Sequence, residues 1–303
     1  MKKITIAVLL GSLLLTAGIA QAKEGGDQYP NGAENWFAGA VPPPGNYFIN
    51  YFGNWSGTKK DGNGNTIQTP GGDVKLNATF DAMRFVQVTN QTLFGGSWAW
   101  HVIVPVVKMS VDAGGNSAGA TGLGDVTVDP LIIAWHGPEW HTVVGLDINL
   151  PTGAYDKSPG GTSDGRKDIG ANYYSVEPIF AASYLGSNDW EVSGKFMYNI
   201  KTRNTYTDYQ SGNEFHMDYL VGKNFGNLGV GLSGYYLKQL SDDTQAGVKV
   251  GTDGNRGQVL AVGPSVKYKI QGGTVLIGQW QNETNVKNRF GGNKVWFKLI
   301  TPL

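Results

Sequence analysis

Residues 171–201 read A-N-Y-Y-S-V-E-P-I-F-A-A-S-Y-L-G-S-N-D-W-E-V-S-G-K-F-M-Y-N-I-K, and this stretch decides the fold class. Apolar and polar residues alternate over Trp190–Lys201, and the same alternation runs from Tyr174 to Tyr184. A period of two is typical of a β-strand with one apolar and one polar face. Between the two halves lies G-S-N-D, a tight-turn composition, so the stretch is predicted to form a β-hairpin.

The arms of this hairpin are long for a soluble protein. Each has about a dozen residues, whereas strands of soluble proteins have roughly five or six. A tilted strand that crosses a bilayer needs roughly 9–11 residues. The length therefore favours a membrane barrel. Alternation alone does not show which face contacts water, because a soluble sandwich buries its apolar face and a membrane barrel turns it toward lipid.

Similar alternation elsewhere predicts twelve antiparallel strands in all. Besides the hairpin arms, the predicted strands cover residues 46–55, 74–88, 97–109, 124–134, 140–150, 213–224, 228–240, 258–270, 274–286 and 293–303. Long connections (57–73, 110–121, 151–170, 202–212, 241–257, 287–292) alternate strictly with short ones (89–96, 135–139, 186–189, 225–227, 271–273). An even strand number with short turns on one side is typical of outer-membrane barrels. The last strand also alternates, so it can close against the first, as lipid-exposed edges require.

If the barrel lies in a membrane, the apolar rows are expected to face lipid and the polar rows the lumen. On the first two strands the expected lipid-facing rows are Tyr47, Ile49, Tyr51 and Trp55, and Leu76, Ala78, Phe80 and Ala82. Arg84 interrupts the second row, which predicts a bulge or the end of the regular ladder there.

The first 22 residues are predicted to be a cleaved secretory signal peptide. The start M-K-K precedes a nearly continuous apolar run over residues 4–15, and A-Q-A at residues 20–22 matches a cleavage site. The apolar run is short for the alternative, a retained membrane anchor. The chain is thus divided into a signal peptide (1–22), an N-terminal arm (23–45) and a barrel (46–303).

Composition narrows the functional classes further. Without Lys2 and Lys3 the 24 basic residues fall to 22, against 24 acidic residues, and a net charge of −2 argues against a nucleic-acid partner. The chain has no cysteine, so an exported chain of this kind does without disulfides. The chain contains no run of about 18 apolar residues, so no transmembrane helix is predicted. The 45 glycines and the 12% of aromatic residues suit a β-protein with many turns and interface anchors.

Apolar and polar residues do not alternate in the N-terminal arm. The stretch V-P-P-P-G at residues 41–45 contains three prolines, which lack the backbone N–H that a strand donates. Two interpretations stay open, a loose exported N-terminus and an ordered arm inside the barrel. Trp36 and Phe37 favour the second, because large apolar side chains are costly to leave in water. The residues expected to plug the lumen are Glu34, Trp36, Phe37, Pro42, Pro43 and Pro44.

The opening motif D-Q-Y-P-N-G-A-E-N-W-F-A-G-A-V-P-P-P-G at residues 27–45 resembles that of the phenol-degradation meta-pathway family of outer-membrane channels. G-L-G-D at 122–125 and L-P-T-G-A-Y-D at 150–156 resemble internal motifs of that family. The resemblance spans most of the mature chain. It implies a twelve-stranded barrel whose N-terminal segment enters and narrows the lumen, but the family's link to phenol breakdown is largely by association.

Charges on the polar faces segregate into two groups. The expected acidic wall of the lumen consists of Asp125, Asp129, Asp147, Glu177, Glu191, Glu214 and Asp218, and the expected basic wall of Lys75, Lys267, Lys269, Lys294 and Lys298. One hypothesis is a transverse field across a watery pore. The alternative is that these residues pair with each other and with the N-terminal arm, and only fill the interior.

Catalytic and metal sites are poorly supported. A twelve-stranded outer-membrane phospholipase, the main enzyme alternative, needs a Ser nucleophile with a His base two residues before it, and no histidine here has that arrangement. His216 between Glu214 and Asp218 is better explained by hydrogen bonding than by metal binding. D-G-N-G-N at 61–65 imitates a calcium loop but lacks its later ligands, so a surface loop is predicted.

Together these patterns predict an outer-membrane β-barrel of a Gram-negative bacterium that acts as a passive channel for small molecules, among them aromatic or hydrophobic compounds. No cofactor and no metal are expected, and the expected partners are outer-membrane lipid, lipopolysaccharide and a small-molecule substrate. Two alternatives stay open, a lipid-modifying enzyme of the outer membrane and a structural barrel with a blocked pore. The sequence does not indicate the substrate or the oligomeric state.

Overall fold

The computed structural model of the protein describes residues 27–155 and 168–303, and within them twelve long strands follow one another around one sheet. They are β1 (Gly45–Lys59), β2 (Gly72–Leu93), β3 (Gly96–Ala113), β4 (Val126–His136), β5 (Trp140–Leu150), β6 (Ser175–Leu185), β7 (Trp190–Lys201), β8 (Glu214–Phe225), β9 (Leu228–Gln239), β10 (Gln258–Lys269), β11 (Val275–Lys287) and β12 (Phe290–Pro302). In these residues no helix is long and apolar enough to cross a membrane. The predicted signal peptide lies outside the described residues.

Pairing of the first strand with the last closes the sheet into a barrel. The register between β1 and β12 runs without interruption from Tyr47 opposite Pro302 to Lys59 opposite Phe290. On its other edge β1 pairs with β2, and every following strand pairs antiparallel with its neighbour in the chain. Since lipid supplies no hydrogen-bond partners, closure satisfies the backbone groups that an open edge would leave unpaired. The predicted twelve-stranded antiparallel barrel is confirmed.

Short turns join the strands on one side of the barrel, where the sequence predicts them. Between β2 and β3 the turn consists of Phe94 and Gly95, both in the left-handed region with φ of 50° and 77°. Two-residue hairpins favour such turns because their twist matches that of the flanking strands.

On the opposite side, the connections differ from the prediction in two places. Residues 110–121, expected as a loop, contain the end of β3 and a returning strand, Asn116–Leu123, that pairs with it. Residues 287–292, expected as a long connection, form a tight turn because β11 and β12 both extend into it. The strict alternation of loop length is therefore wrong at this last connection. Three two-residue strands form a separate small sheet in the loops: Tyr209–Gln210, Thr244–Gln245 and Val248–Lys249.

Apolar side chains on β5–β8 and β10–β12 face outward, as predicted. The exposed row includes Val176, Phe180, Val192, Phe196, Ile200, Val221, Leu260, Val262, Val266, Val295 and Phe297. Exposed Trp140, Trp190 and Phe225 lie at the short-turn end, where aromatic girdles of outer-membrane barrels are found. Most polar side chains of the same strands face inward and are buried.

The first two strands face the other way, so their predicted orientation is wrong. Tyr51 on β1 and Leu76 and Ala82 on β2 are buried inside the barrel, whereas Lys75 and Asn77 are exposed outside it. The inward row of β2 packs on Trp55 and on the inner face of β3. Alternation determines which residues share a face but not which face is inside. On β1 and β2 the apolar row forms part of the inner wall, so the usual assignment of apolar rows to the outside is reversed.

Bulges also occur at other positions than predicted. Arg84 lies within a regular ladder, opposite Ile49 and Ile103, and the irregularity of β2 falls between Val88 and Thr92. A second irregularity between Val128 and Ile133 on β4 changes the parity of that strand. Ile132, expected on the lipid side, is consequently turned inward and buried.

The outward apolar face gives a stability prediction. Phe196 lies at the middle of β7 and stacks on Phe180 with ring centroids 6.2 Å apart. Phe196→Arg is expected to lower the free energy of unfolding in lipid vesicles by about 2–4 kcal/mol, because an Arg at the bilayer midplane is poorly solvated. Denaturant titration measures the change. Val248→Arg, at a position 70% exposed in the loops, is the control and should change it by less than about 0.5 kcal/mol.

Candidate pore and its N-terminal segment

Residues 27–44 run through the inside of the barrel. Asp27 pairs with Arg289, beside the β11–β12 turn on the long-loop side, and residue 44 leads into β1 on the short-turn side. Trp36 is 1% exposed. The three prolines of the predicted plug, Pro42, Pro43 and Pro44, are exposed at the short-turn mouth instead of being packed in the middle.

One carboxylate, Asp125, fastens the start of this segment. Its Oδ2 accepts hydrogen bonds from Gln28 Nε2 and from the backbone N–H of Ala171, both at 2.9 Å. Its Oδ1 accepts a bond from the N–H of Gly153 at 3.0 Å. A Cβ on Gly153 would lie 2.6 Å from Cα of Gly170, so this approach requires glycine. The three stretches that carry the family resemblance therefore meet at Asp125.

A second carboxylate, Asp218 on β8, holds the next turn of the segment. Its Oδ2 accepts bonds from the Tyr29 hydroxyl at 2.7 Å and the N–H of Glu34 at 3.0 Å. Its Oδ1 accepts a bond from the N–H of Gly32 at 2.9 Å. Three donors satisfy a carboxylate that is fully buried, as burial of a charged group requires.

Glu34 ties the middle of the segment to the wall. Its Oε2 lies 2.5 Å from Lys298 Nζ and its Oε1 lies 2.5 Å from Arg84 Nη1, and the Tyr51 hydroxyl donates a hydrogen bond to Oε1. One carboxylate oxygen of Glu34 thus contacts Lys298 and the other contacts Arg84, and opposite charges at this distance favour the ionised form. Glu34 therefore balances the charges of buried Lys298 and half-buried Arg84.

Trp36 and Phe37 anchor the segment near the short-turn side. The Trp36 indole N–H donates to Ser265 Oγ at 2.8 Å, and the Phe37 N–H donates to Glu191 Oε1 at 2.7 Å. Lys267 Nζ lies 4.2 Å and 4.0 Å from the centroids of the two rings and 2.7 Å from Glu191 Oε2. This cation is fully buried, and its aromatic and acidic neighbours compensate for the water it has lost.

The structure places all seven residues of the expected acidic wall inside the barrel, buried: Asp125, Asp129, Asp147, Glu177, Glu191, Glu214 and Asp218. Most inward charges have a partner of opposite sign. The pairs are Glu191–Lys267 at 2.7 Å, Glu214–Lys201 at 2.5 Å, Glu283–Lys294 at 3.5 Å and Glu34–Lys298 at 2.5 Å. This pairing matches the alternative in which wall residues pair with each other and with the arm. An effect of the inward charges on ion selectivity stays a prediction.

Two lysines of the expected basic wall differ from the others. Lys75 is exposed on the outer face of β2, because that strand turns its apolar row inward, so its assignment to the lumen is wrong. Lys269 is exposed at the short-turn end of β10, with Nζ 5.6 Å from the centroid of the Phe37 ring. Lys267, Lys294 and Lys298 are buried inside the barrel.

Two cavities remain beside the segment, next to β2 and β3. One of about 260 Å³ lies toward the long loops, with an apolar wall of Leu76, Ala78, Phe80, Ala82, Ile103, Val107 and Met109 and a polar wall of Asp125, Thr127, Asp147, Asn149 and Glu177. The other, of about 600 Å³, opens to the short-turn mouth and includes Val86, Ala99, Ile132, Val143 and Ala181. Arg84 and His101 line the second cavity and Asp147 lines the first, so these three side chains lie at the junction between two cavities that share no lining residue.

That junction also holds the only group of three potential metal ligands among the described residues. Ligand atoms of His101, Asp129 and Asp147 lie within 4.8 Å of one another. The Arg84 guanidinium is 2.8 Å from His101 Nδ1, and His101 Nε2 is 3.1 Å from Asp147 Oδ1. A permanent cation bonded to the imidazole disfavours a metal ion, so we interpret the group as an Arg–His–Asp chain of polar contacts.

The side chains of the two weaker candidate metal sites from the sequence are bonded to other groups of the protein. His216 Nε2 lies 2.9 Å from Glu177 Oε2, while Glu214 pairs with Lys201 and Asp218 holds the N-terminal segment. In the calcium-like stretch, Asp61 Oδ1 accepts bonds from the N–H groups of residues 63 and 65 at 2.9 Å and 2.8 Å. Its carboxylate thus closes its own turn.

Sequence reasoning missed several residues of this interior. The sequence predicts a break in a lipid-facing row at Arg84 and a lipid-facing side chain at Tyr51. A charged residue in the middle of an apolar row was the available signal that this row faces inward. Lys195 faces inward among the acidic residues of the wall, and its Nζ lies 4.5 Å from the centroid of the Tyr29 ring. Nothing in the local sequence pairs these two residues.

Comparison with known families gives a match over most of the chain. The model described as "Putative MetA-pathway of phenol degradation" matches residues 56–299. The chain belongs to this family. The predicted family membership is thereby confirmed, and the two internal motifs lie within the matched residues, whereas the opening motif precedes them.

Several solved structures are similar to this chain. An outer membrane channel from Pseudomonas putida F1 matches with a TM-score of 0.75 at 14% identity, covering 91% of this chain and 100% of that one. The translocator domain of autotransporter NalP from Neisseria meningitidis has a TM-score of 0.50 at 8% identity, covering 99% and 97%. The KdgM porin matches with a TM-score of 0.46 at 8% identity, covering 84% of this chain and 99% of that one. The first match shows that the chain has an outer-membrane channel fold. No curated protein matches the sequence significantly.

The Asp125 contacts give a prediction. Asp125→Ala removes the acceptor of two buried backbone N–H groups and of Gln28, and is expected to lower the free energy of unfolding by about 2–4 kcal/mol. Denaturant titration in detergent measures it. Asp73→Ala, which removes one exposed bond to Gln68, should cost less than about 0.5 kcal/mol. Equal effects of the two substitutions would contradict the role of Asp125 in holding the three motifs together.

Proposed function

We propose that this protein is a passive outer-membrane channel for small molecules that combine an apolar part, such as an aromatic ring, with a polar or charged group. The observation that carries the proposal is the position of the free space. Both cavities are lined by residues of β1–β6 and β12 and by none of β8–β10, and the segment is bonded to Asp218 on β8 and Ser265 on β10.

The N-terminal segment narrows the pore without filling it. Its bonds to the wall are numerous. They go mainly to the strands from β6 onward, and Glu34 also accepts bonds from Tyr51 on β1 and Arg84 on β2. A segment held in this way is a fixed part of the wall rather than a loose plug. Arg84 and His101 line one cavity and Asp147 lines the other, so a solute that moves from one cavity to the other would have to pass these three side chains.

The wall of the cavity near the long loops supports the proposed substrate class. One side offers Leu76, Phe80 and Ile103, and the opposite side offers carboxylate and amide groups. An aromatic ring gains by leaving water against the apolar side while its polar group keeps hydrogen-bond partners on the other. A uniformly polar solute gains only on one side. The family name supports aromatic compounds weakly and does not identify a substrate.

Export by a cleaved signal peptide and residence in the outer membrane of a Gram-negative bacterium complete the proposal. Residues 1–22 support export by their composition, and the barrel fold supports the membrane. Lipid and lipopolysaccharide would then surround the outward apolar rows.

Planar-bilayer measurements of reversal potential test the proposal. The sodium salts of benzenesulfonate and gluconate have anions of equal charge, and only the first has an aromatic ring. We expect wild-type channels to conduct and to favour benzenesulfonate roughly fivefold, equivalent to about 1 kcal/mol of apolar contact. The double variant Ile103→Asn/Val107→Asn should bring the ratio close to one, because it replaces part of the apolar wall.

Lys59→Gln is the matched control. Lys59 lines the same cavity, and loss of its charge should affect both anions alike and leave their ratio unchanged. A barrel that shows no conductance, with or without residues 23–44, would overturn the channel proposal in favour of a blocked structural barrel. Conductance with an unchanged ratio in the double variant would overturn only the proposed substrate class.

A further inference from the structure

Two histidines face each other across the last rung of the β4–β5 hairpin. His136 and His141 are direct cross-strand partners, and both line the inner rim of the cavity that opens to the short-turn mouth. Their Nδ1 atoms are 2.9 Å apart and their ring centroids 5.1 Å apart. His136 is exposed and His141 half-buried, so solutes in the mouth can reach them.

These imidazoles differ from the other two of the chain in what surrounds them. His101 is bonded to Arg84 and Asp147, and His216 to Glu177; both are buried. In the part of the chain that the structure describes, His136 and His141 have only each other as hydrogen-bond partners. A neutral imidazole has one nitrogen lone pair, and a shift of its proton to Nε2 frees the lone pair of Nδ1.

We propose that His136 and His141 bind a divalent transition-metal ion through their two Nδ1 atoms, with Cu²⁺ or Ni²⁺ preferred to Zn²⁺. With metal–nitrogen bonds of about 2.0–2.1 Å, a separation of 2.9 Å gives an angle of about 90° at the metal. Adjacent ligands of a square or tetragonal ion have this angle, whereas a tetrahedral ion would need the nitrogens about 3.3 Å apart.

The site is open on its solvent side, and water completes the coordination. Glu139 lies in the same turn, but its Oε1 accepts a bond from the N–H of Ser187 at 2.9 Å. Two protein ligands on a fixed cross-strand rung form a chelate, and affinity of the divalent ions for imidazole increases toward Cu²⁺. The bound ion would add two positive charges to the short-turn mouth.

Electron paramagnetic resonance of Cu²⁺ titrated into the untagged mature protein in detergent tests the site. We expect the wild type to bind one Cu²⁺ per chain more than the double variant His136→Gln/His141→Gln. The spectrum of this additional Cu²⁺ should show two equatorial nitrogen ligands. Each single variant should weaken this binding at least tenfold and leave one nitrogen or none. Glu139→Gln, in the same turn, should leave the affinity within twofold of wild type, and Ni²⁺ should compete for the site better than Zn²⁺.

Two results would overturn the proposal. One is a wild type that binds no more Cu²⁺ than the double variant, which would mean that the pair is only an N–H···N hydrogen bond. The other is equal binding by both single variants and wild type, which would place the metal elsewhere, for example at the mature N-terminus. Circular dichroism of each variant verifies that the barrel is folded, and the measurement requires no transport activity.

Discussion

Backbone pairing around a closed ring is the constraint on which the rest of this structure depends. A bilayer offers no hydrogen bonds to an unpaired strand edge, and the uninterrupted register of β1 with β12 leaves none there. Closure in turn fixes two environments, one outside that must be apolar and one inside that side chains and water must fill. The outward rows on β5–β8 and β10–β12 meet the first requirement.

Filling the inside is an electrostatic problem as much as a packing problem. Inward charges lose much of their hydration, and a buried ion without a partner is strongly destabilising. Some inward charges form ion pairs with other residues of the barrel wall, as Lys267 does with Glu191. Arg84 and Lys298 instead share a carboxylate, Glu34, that comes from the N-terminal segment. The segment is therefore part of the charge balance of the barrel, and the free space is left on the side of β2 and β3, where the inner wall is apolar.

Local alternation was enough to predict the strand number, the closure and the positions of β5 and β7, because a period of two and turn compositions are properties of neighbouring residues. Alternation alone could not predict that the apolar rows of β1 and β2 face inward, since an apolar inner row and an apolar outer row have the same pattern; the charge of Arg84 within the β2 row was the signal. Nor could alternation predict partners. Asp125 joins Gln28, Gly153 and Ala171, and only the closed barrel brings these residues together.

Thiol labelling of β3 in lipid vesicles tests the central claim, a lumen that water reaches beside an apolar inner wall. The chain has no cysteine, so single substitutions report one position each. Ile103→Cys and Val107→Cys line the cavity, whereas Val104→Cys and Val106→Cys alternate with them and face lipid. We predict that a charged, membrane-impermeant methanethiosulfonate modifies the first two and spares the second two. The reverse pattern, or protection of all four positions, would contradict the account.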